Sequence, residues 1–378
     1  MNLFDKELDL ELGLSLARCV NPKYQPVFEN LPDRDRAALA FYFLPHGSKK
    51  DVLEVTRPHV IKWYCPFADQ RKFPSGHRYC INVYTGCEHK CQYCYAAGYV
   101  SEQVNCKSNF RAELVKDLDA LDEYDVPAAP VHVSNSTDPL QSLELQHHHT
   151  LFVLENLAKR RHRFTTVTLL TKNPAILLEE QYVQILHRLN TLSSDHPRTQ
   201  WFKNHGYPPL RIECSLAFFN DRHRQLLDPE APDVASRMEA IRFLRKENLP
   251  VYMRIDPLFP RNPLLNGMAM LDFDLPDVQP ISDLEALIHF CREIGVGGVV
   301  YSVAKITRPR QGHLSTVMEK IKKVYGHLAQ NQTLVFRGGS WRLPDAIAKE
   351  LVINPFLNLC HQHAIDATAC MANLISTP

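Results

Sequence analysis

Long apolar runs are missing from these 378 residues, and with them any expectation of a membrane-crossing helix. The opening Met1-Asn2-Leu3-Phe4-Asp5-Lys6-Glu7 carries acid where a secretion signal carries base, so no such signal is expected. Charge of one sign is not in excess either. Lys and Arg number 43 against 42 Asp and Glu, a net +1, which excludes a whole-molecule basic field as the means of holding nucleic acid and leaves local patches open. There is no low-complexity tract, and no internal repeat beyond an alternation of strand-like and helix-like segments. The eleven cysteines are an odd count in a chain too long and too apolar to need disulfide staples. A reducing, cytoplasmic setting is therefore expected. At 45% hydrophobic and 22% charged residues the chain reads as soluble and globular, long enough for one large α/β domain with terminal additions or for two ordinary domains.

What the chain does have is a cysteine loop. Cys87, Cys91 and Cys94 stand in the run Tyr84-Thr85-Gly86-Cys87-Glu88-His89-Lys90-Cys91-Gln92-Tyr93-Cys94-Tyr95, spaced C-x3-C-x2-C. Three thiolates on one loop suit three irons of a cubane cluster and leave the fourth iron to another ligand, because such clusters ordinarily take four cysteines. A zinc site closed by His89 or Cys80 is a competing reading; zinc accepts such a donor set, but its loops usually pair two knuckles, and no clean second knuckle is present. Inert buried thiols are a third, against which stands the polar company of Glu88, His89, Lys90 and Gln92. With Gly86 to turn the loop tightly and Tyr93 before the third cysteine, the pattern resembles that of the radical S-adenosylmethionine (radical SAM) superfamily.

From about residue 77 the periodicity predicts six βα repeats. Strands are expected at His77 to Tyr84, Val131 to Ser134, Phe164 to Thr171, Leu210 to Leu216, Val251 to Ile255 and Val299 to Val303. Helices are expected at Leu145 to Lys159, Ala175 to Leu189, Val234 to Lys246, Leu284 to Ile294 and Leu314 to Leu328. The expected fold class is α/β, an incomplete (β/α)6 TIM-type barrel, with a doubly wound open sheet as the alternative. The expected division is an N-terminal extension over 1–76, a core over 77–329 and a C-terminal extension over 330–378. In the first of these, Trp63 to Phe67 is expected to pack across the barrel. The proline-rich stretches at Pro257 to Pro263 and Leu275 to Pro280 read as loops.

Strand ends at the carboxyl side converge on one mouth in such folds, and that is where ligand groups are sought. The second strand ends in Ser134-Asn135-Ser136-Thr137-Asp138, the third in Thr171-Lys172, the fourth carries Glu213-Cys214-Ser215, and the fifth ends in Arg254-Ile255-Asp256. Each has an ordinary explanation as a turn, a helix start or a solvated charge. Together with Leu227-Asp228-Pro229 and Arg237-Met238-Glu239-Ala240, they resemble the DNA repair photolyase, or spore photoproduct lyase-like, branch of the radical SAM superfamily over about residues 77–305.

The resemblance implies a 4Fe–4S cluster on Cys87, Cys91 and Cys94, with SAM on its remaining iron and reductive cleavage to a 5′-deoxyadenosyl radical. It implies that Thr137 with Ser136 contacts the SAM amino group, that Lys172 and Ser215 contact its carboxylate, and that Tyr93 and Tyr95 relay hydrogen; by residue chemistry the run that ends in Asp138 can also accept from an ammonium and bond a ribose, which makes Asp138 a further cofactor-binding candidate. A nucleic-acid lesion or modified base is the substrate class it favours, with a small molecule or peptide as the alternative and a flavodoxin- or ferredoxin-type reductase as electron donor; the competing reading from another class is a non-catalytic zinc- or Fe–S-binding structural or regulatory protein. One position departs from the pattern: Asn135 stands where lyases acting on the thymine dimer keep a hydrogen-donating cysteine, which argues against spore-photoproduct repair itself.

Four remaining features have mainly structural readings. Lys159-Arg160-Arg161-His162-Arg163 is a basic helix end that also has the composition to touch phosphates. His147-His148-His149 has the composition for a metal, but the three are expected to point in different directions on a helix, as surface or helix-start residues. Cys65, Cys80, Cys360 and Cys370 match no cluster spacing and read as isolated thiols rather than a second cluster. Arg337-Gly338-Gly339-Ser340 is a hairpin or a phosphate-binding turn.

The cysteine loop generates a direct prediction. The Cys91→Ala chain, purified anaerobically, is expected to fold yet to lack the brown visible spectrum of a cluster; an unaltered spectrum places the ligands elsewhere.

Overall fold

The computed structural model describes residues 9–18, 28–29, 31–43, 60–62, 79–191, 196–260, 277, 279–310, 312–329 and 333–370. Its strands are β1 (Ile61–Lys62), β2 (Tyr79–Ile81), β3 (Tyr84–Thr85), β4 (Asn105–Cys106), β5 (Val131–Val133), β6 (Val167–Thr171), β7 (Leu210–Ser215), β8 (Val251–Leu258), β9 (Val299–Val303), β10 (Ile306–Thr307), β11 (Val335–Arg337), β12 (Ser340–Arg342) and β13 (Ala367–Ala369).

Segments such as Val167-Thr168-Leu169-Leu170-Thr171 are apolar with little alternation, as strands covered on both faces must be. They form an eight-stranded sheet in the order β1-β2-β5-β6-β7-β8-β9-β13. Strand β1 runs antiparallel to β2, and every other pair is parallel. From β2 to β9 the six parallel strands neighbour one another in chain order, without the reversal that defines a doubly wound sheet. The fold is thus mixed α/β around a mostly parallel sheet.

Helices fill the connections. Helix Glu180–Asn190 buries Tyr182, Ile185, Leu186 and Leu189, one face at helical spacing, and leaves its polar residues outside. Helix Val234–Lys246 starts at Asp233, whose carboxylate accepts from the Ser236 backbone N–H at 2.8 Å. No described helix is long and apolar enough to cross a membrane.

The expected strands at Val131, Phe164, Leu210, Val251 and Val299 and the helices between them are present, with shifted ends. The first expected strand divides in two. Asn82 leaves the ladder because its side-chain oxygen accepts from the backbone N–H groups of Asn135 and Ser136, both at 3.2 Å, and β3 then pairs with β4 instead of the main sheet. The helix expected from Leu145 breaks at His148, which sits in the left-handed region at φ 47°. The glycine pair at 338–339 closes a hairpin between β11 and β12, both glycines at positive φ. Helices Phe110–Glu123 and Asn354–Gln362 and the edge strands β1 and β13 were not anticipated. The packing expected of Trp63 to Phe67, and the loops beyond Pro260, lie almost wholly outside the described residues.

Leu169 lies in β6, between β5 and β7, with no exposed surface. Leu169→Ala is expected to lower unfolding free energy by about 2–5 kcal/mol, transfer loss plus cavity. Urea unfolding with an unchanged denaturant slope checks this, and a change within error contradicts the placement of the core.

Candidate active site

The cysteine loop leaves the sheet after β2 and is held from several sides. Gly86 is at φ 75°, and a Cβ there would stand 2.2 Å from the Gln103 carbonyl oxygen, so both conformation and space require glycine. Gln141 braces the loop, accepting from the Glu88 N–H at 2.8 Å and donating to the Gly86 carbonyl at 3.2 Å. Gln92 donates its backbone N–H to the Leu227 carbonyl at 2.8 Å, which ties the loop to a segment far along the chain.

Cys87, Cys91 and Cys94 line one cavity that opens at the carboxyl ends of the parallel strands. Their sulfurs are not a set lying within 4.8 Å of one another; among the described residues only Cys106, His147 and His149 are. Burial, with Asp138 adding to it, pushes the Cys87 thiol up to about 12. Burial likewise pushes Cys94 up and Cys91 well above the ordinary thiol range. Three such thiols become thiolates only when a cation takes the place of their protons.

Asp138, at the end of the β5 loop, carries the scaffold. Its Oδ1 accepts from the Leu140 N–H at 2.9 Å and the Thr171 hydroxyl at 2.8 Å. Its Oδ2 accepts from the Lys172 N–H at 2.6 Å and lies 3.1 Å from His89 Nε2. Burial opposes its ionisation, but His89 and these donors outweigh burial and hold the carboxyl below its ordinary range. Four protein groups occupy the carboxylate that residue chemistry makes a cofactor-binding candidate, so Asp138 acts as a brace between the cysteine loop and the ends of β5 and β6.

Lys172 enters the cavity beside a second buried carboxylate. Its ammonium donates to Asp228 Oδ2 at 2.9 Å and to the Tyr93 hydroxyl at 2.7 Å, and Tyr93 donates in turn to the same Asp228 oxygen at 2.7 Å. Burial opposes charge on both ion-pair partners, but their mutual attraction prevails: Lys172 is raised and Asp228, with Arg237 also 4.0 Å away, is lowered. Burial first, then Asp228, hold the Tyr93 phenol well above its usual range, so it remains a donor. Phe218 and Phe259 pack against its ring.

No protein-family model matches the chain, and no curated protein matches it. Solved structures do. Spore photoproduct lyase complexed with dinucleoside spore photoproduct is similar with a TM-score of 0.53 at 14% identity, over 83% of this chain and 80% of its own. A variant of that lyase with bound AdoMet and dinucleoside spore photoproduct is similar with a TM-score of 0.50 at 14% identity, over 80% of this chain and 78% of its own. A radical SAM methyltransferase from Sphaerobacter thermophilus is similar more loosely, with a TM-score of 0.41 at 14% identity, over 78% of this chain and 65% of its own. The chain shares the fold of spore photoproduct lyase.

In this lyase-like fold every candidate residue named from the sequence lines the same cavity: Tyr93, Tyr95, Ser136, Thr137, Asp138, Lys172, Ser215 and the three cysteines. Tyr95 donates to the Asn135 carbonyl, Ser136 to the Asn135 side chain at 3.0 Å, and Thr137 to the Tyr84 carbonyl at 3.4 Å. Cys214 is fully buried outside the cavity lining, whereas its neighbour Ser215 lines it, as strand alternation requires.

The opposite wall of the cavity was only partly foreseen. Arg254 pairs with Glu213 at 2.7 Å and with Asp256 at 2.9 Å, Ser302 donates to Asp256, and Lys305 and Cys370 complete the wall. Cys370 follows β13 and accepts a hydrogen bond from Arg254. Cys80 and Cys360 are buried, neither belongs to a close metal-ligating set among the described residues, and Cys65 lies outside those residues. The basic helix end is structural: Arg160 and Arg163 pair with Asp119, Asp122 and Asp125, and Arg161 is buried against the carbonyls of Phe164, Thr165 and Pro209.

The Glu213 pair has a pH signature. Burial raises its carboxyl, but Arg254, then His132 and Arg211, outweigh burial and hold it at about 2, below the ordinary 4.5. A depressed carboxyl stabilises the fold above its unfolded value and loses that contribution as pH falls through its folded value. Between about pH 4.5 and 2 the native chain is expected to lose roughly 3 kcal/mol that Glu213→Gln does not. Acid unfolding of both chains checks this, and parallel acid limbs contradict it.

Proposed function

We propose that the chain is a radical SAM enzyme whose sheet is the inner wall of an incomplete (β/α)6 barrel, with a core over residues 77–329 and extensions over 1–76 and 330–378. The observation that carries this reading is the cavity itself: three half-buried thiols share it with a hydroxyl run, a lysine and two tyrosines. The donor set, three thiols on one loop facing one cavity, fits a 4Fe–4S cluster held by Cys87, Cys91 and Cys94. Such a cluster with SAM on its open iron supplies reductive cleavage to a 5′-deoxyadenosyl radical.

The chain's own groups then hold and orient. Ser136 and Thr137 present hydroxyls to the amino and ribose groups of SAM. Lys172 spends two of its three N–H groups on Asp228 and Tyr93, which leaves one for the SAM carboxylate beside Ser215. Tyr93 and Tyr95 stand as hydrogen relays, their phenols kept protonated, in both cases foremost by burial. Asp138 fixes the loop and strand ends that carry these groups.

The opposite wall bears on substrate class. Arg254 is clasped by both Glu213 and Asp256, and burial lowers the Lys305 ammonium, so the wall presents hydrogen-bond groups rather than a bare cation. That suits the edge of a nucleobase better than a bare phosphate, and supports a nucleic-acid lesion or modified base as substrate. The neighbouring lyase was solved with dinucleoside spore photoproduct, but Asn135 replaces the thiol expected of thymine-dimer repair, so a different lesion or base is proposed.

Anaerobic reconstitution with iron and sulfide, followed by dithionite and SAM, tests the reading. We expect a brown protein that releases 5′-deoxyadenosine, and a Lys172→Ala chain whose SAM binding is weaker by about 1.5–3 kcal/mol. A colourless zinc protein indifferent to SAM overturns it. Oligonucleotide binding that is absent leaves a radical SAM enzyme but overturns the substrate class.

A further inference from the structure

Outside the cavity, we infer that Cys106, His147 and His149 form a zinc site. The sulfur of Cys106 and one ring nitrogen from each histidine all lie within 4.8 Å of one another. No reading of the sequence groups these residues, because a continuous helix would turn His147 and His149 away from each other. The chain is not a continuous helix there. His148 adopts φ 47° between helix Glu144–His147 and helix His149–Lys159, and this break brings the two imidazoles face to face at 5.7 Å. Cys106 arrives from β4, paired opposite Tyr84.

The surroundings suit a cation. The His149 ring is held between Tyr84 and Phe110, with centroids at 5.9 and 5.2 Å. Behind it lies Glu144, fully buried, which accepts from the hydroxyls of Tyr84 and Tyr182 and from the backbone N–H groups of Thr150 and Leu151. All four donors are neutral, so within hydrogen-bond reach nothing cationic offsets that carboxylate. A divalent ion at the three ligands does.

One group must yield. Arg111 Nε donates to His149 Nδ1 at 3.3 Å, and a neutral imidazole has a single lone pair, so zinc takes over the electron pair that this long hydrogen bond uses. Arg111 keeps its hold on the turn through the His147 carbonyl at 2.6 Å.

Zinc takes one sulfur and two nitrogens readily at about 2.0–2.3 Å, so the ligand atoms close in on the ion while His147, on the exposed side, leaves a fourth position open to water. Cys106 loses its thiol proton to solvent on binding; no electron is transferred. The consequence is mechanical: the β3–β4 hairpin, which runs directly into Gly86 and Cys87, becomes fastened to the turn at His148. The site stands independently of any cluster on the cysteine loop.

Equilibrium dialysis of the full chain against zinc chloride, with metal counted by mass spectrometry, tests the inference. The Cys87→Ala/Cys91→Ala/Cys94→Ala chain, which removes the loop as a zinc ligand, is expected to retain one zinc that His147→Gln or Cys106→Ser in the same background loses. Each loss is expected to exceed about 100-fold in affinity, because even partners behind zinc ligands are worth about 10–100-fold. Cobalt in place of zinc is expected to show a thiolate charge-transfer band that vanishes in Cys106→Ser. His147 is exposed, so His147→Gln tests the site without disturbing the core. Zinc binding equal in the triple-alanine chain with and without His147, or a cobalt spectrum lacking the thiolate band, overturns the site.

Discussion

One buried carboxylate organises the cavity. Asp138 receives donors from its own loop, from the end of β6 and from the neighbourhood of the cysteine loop's His89, and each of its oxygens is engaged twice. A carboxylate removed from water is tolerated only when its acceptor sites are filled. Here the filling groups come from three segments separated in sequence, so satisfying the charge fixes their relative positions. The direction Lys172 takes follows from this, since Asp138 holds its backbone N–H while Asp228 and Tyr93 take its ammonium.

The cavity that results has two chemically different walls. On one side are sulfur, phenol and a lysine engaged with Asp228; on the other, Arg254 is clasped by two carboxylates, with Ser302 and Cys370 beside them. The first wall draws its character chiefly from burial, which raises the three thiols. The second is compensated within itself. A ligand spanning both meets a metal-seeking end and a hydrogen-bonding end, which is the polarity proposed for SAM and a base-like substrate.

The six parallel strands were legible because each is a compact apolar run bounded by polar turns. Strand β13 was not: Ala367-Thr368-Ala369 has almost no apolar surface and becomes a strand only because β9 offers it an edge. The cysteines and the groups at strand ends were legible by type and spacing. Their internal partners were hidden by distance, as with Asp228, which meets Tyr93 across 135 positions. Asp138 was expected to touch a ligand and instead spends its oxygens on the protein, a distinction residue type alone does not carry. The histidine triplet lies at the surface and at a helix start, as its composition suggested, but the left-handed turn at His148 that divides it is not revealed by periodicity.

The account rests on an iron–sulfur cluster with one iron open to exchange. The most direct test is electron paramagnetic resonance of the anaerobically reconstituted, dithionite-reduced protein, recorded before and after SAM is added. A reduced 4Fe–4S signal whose g values shift on addition of SAM is the predicted result. The account is contradicted by a protein that assembles no cluster, or by a signal that SAM leaves unchanged.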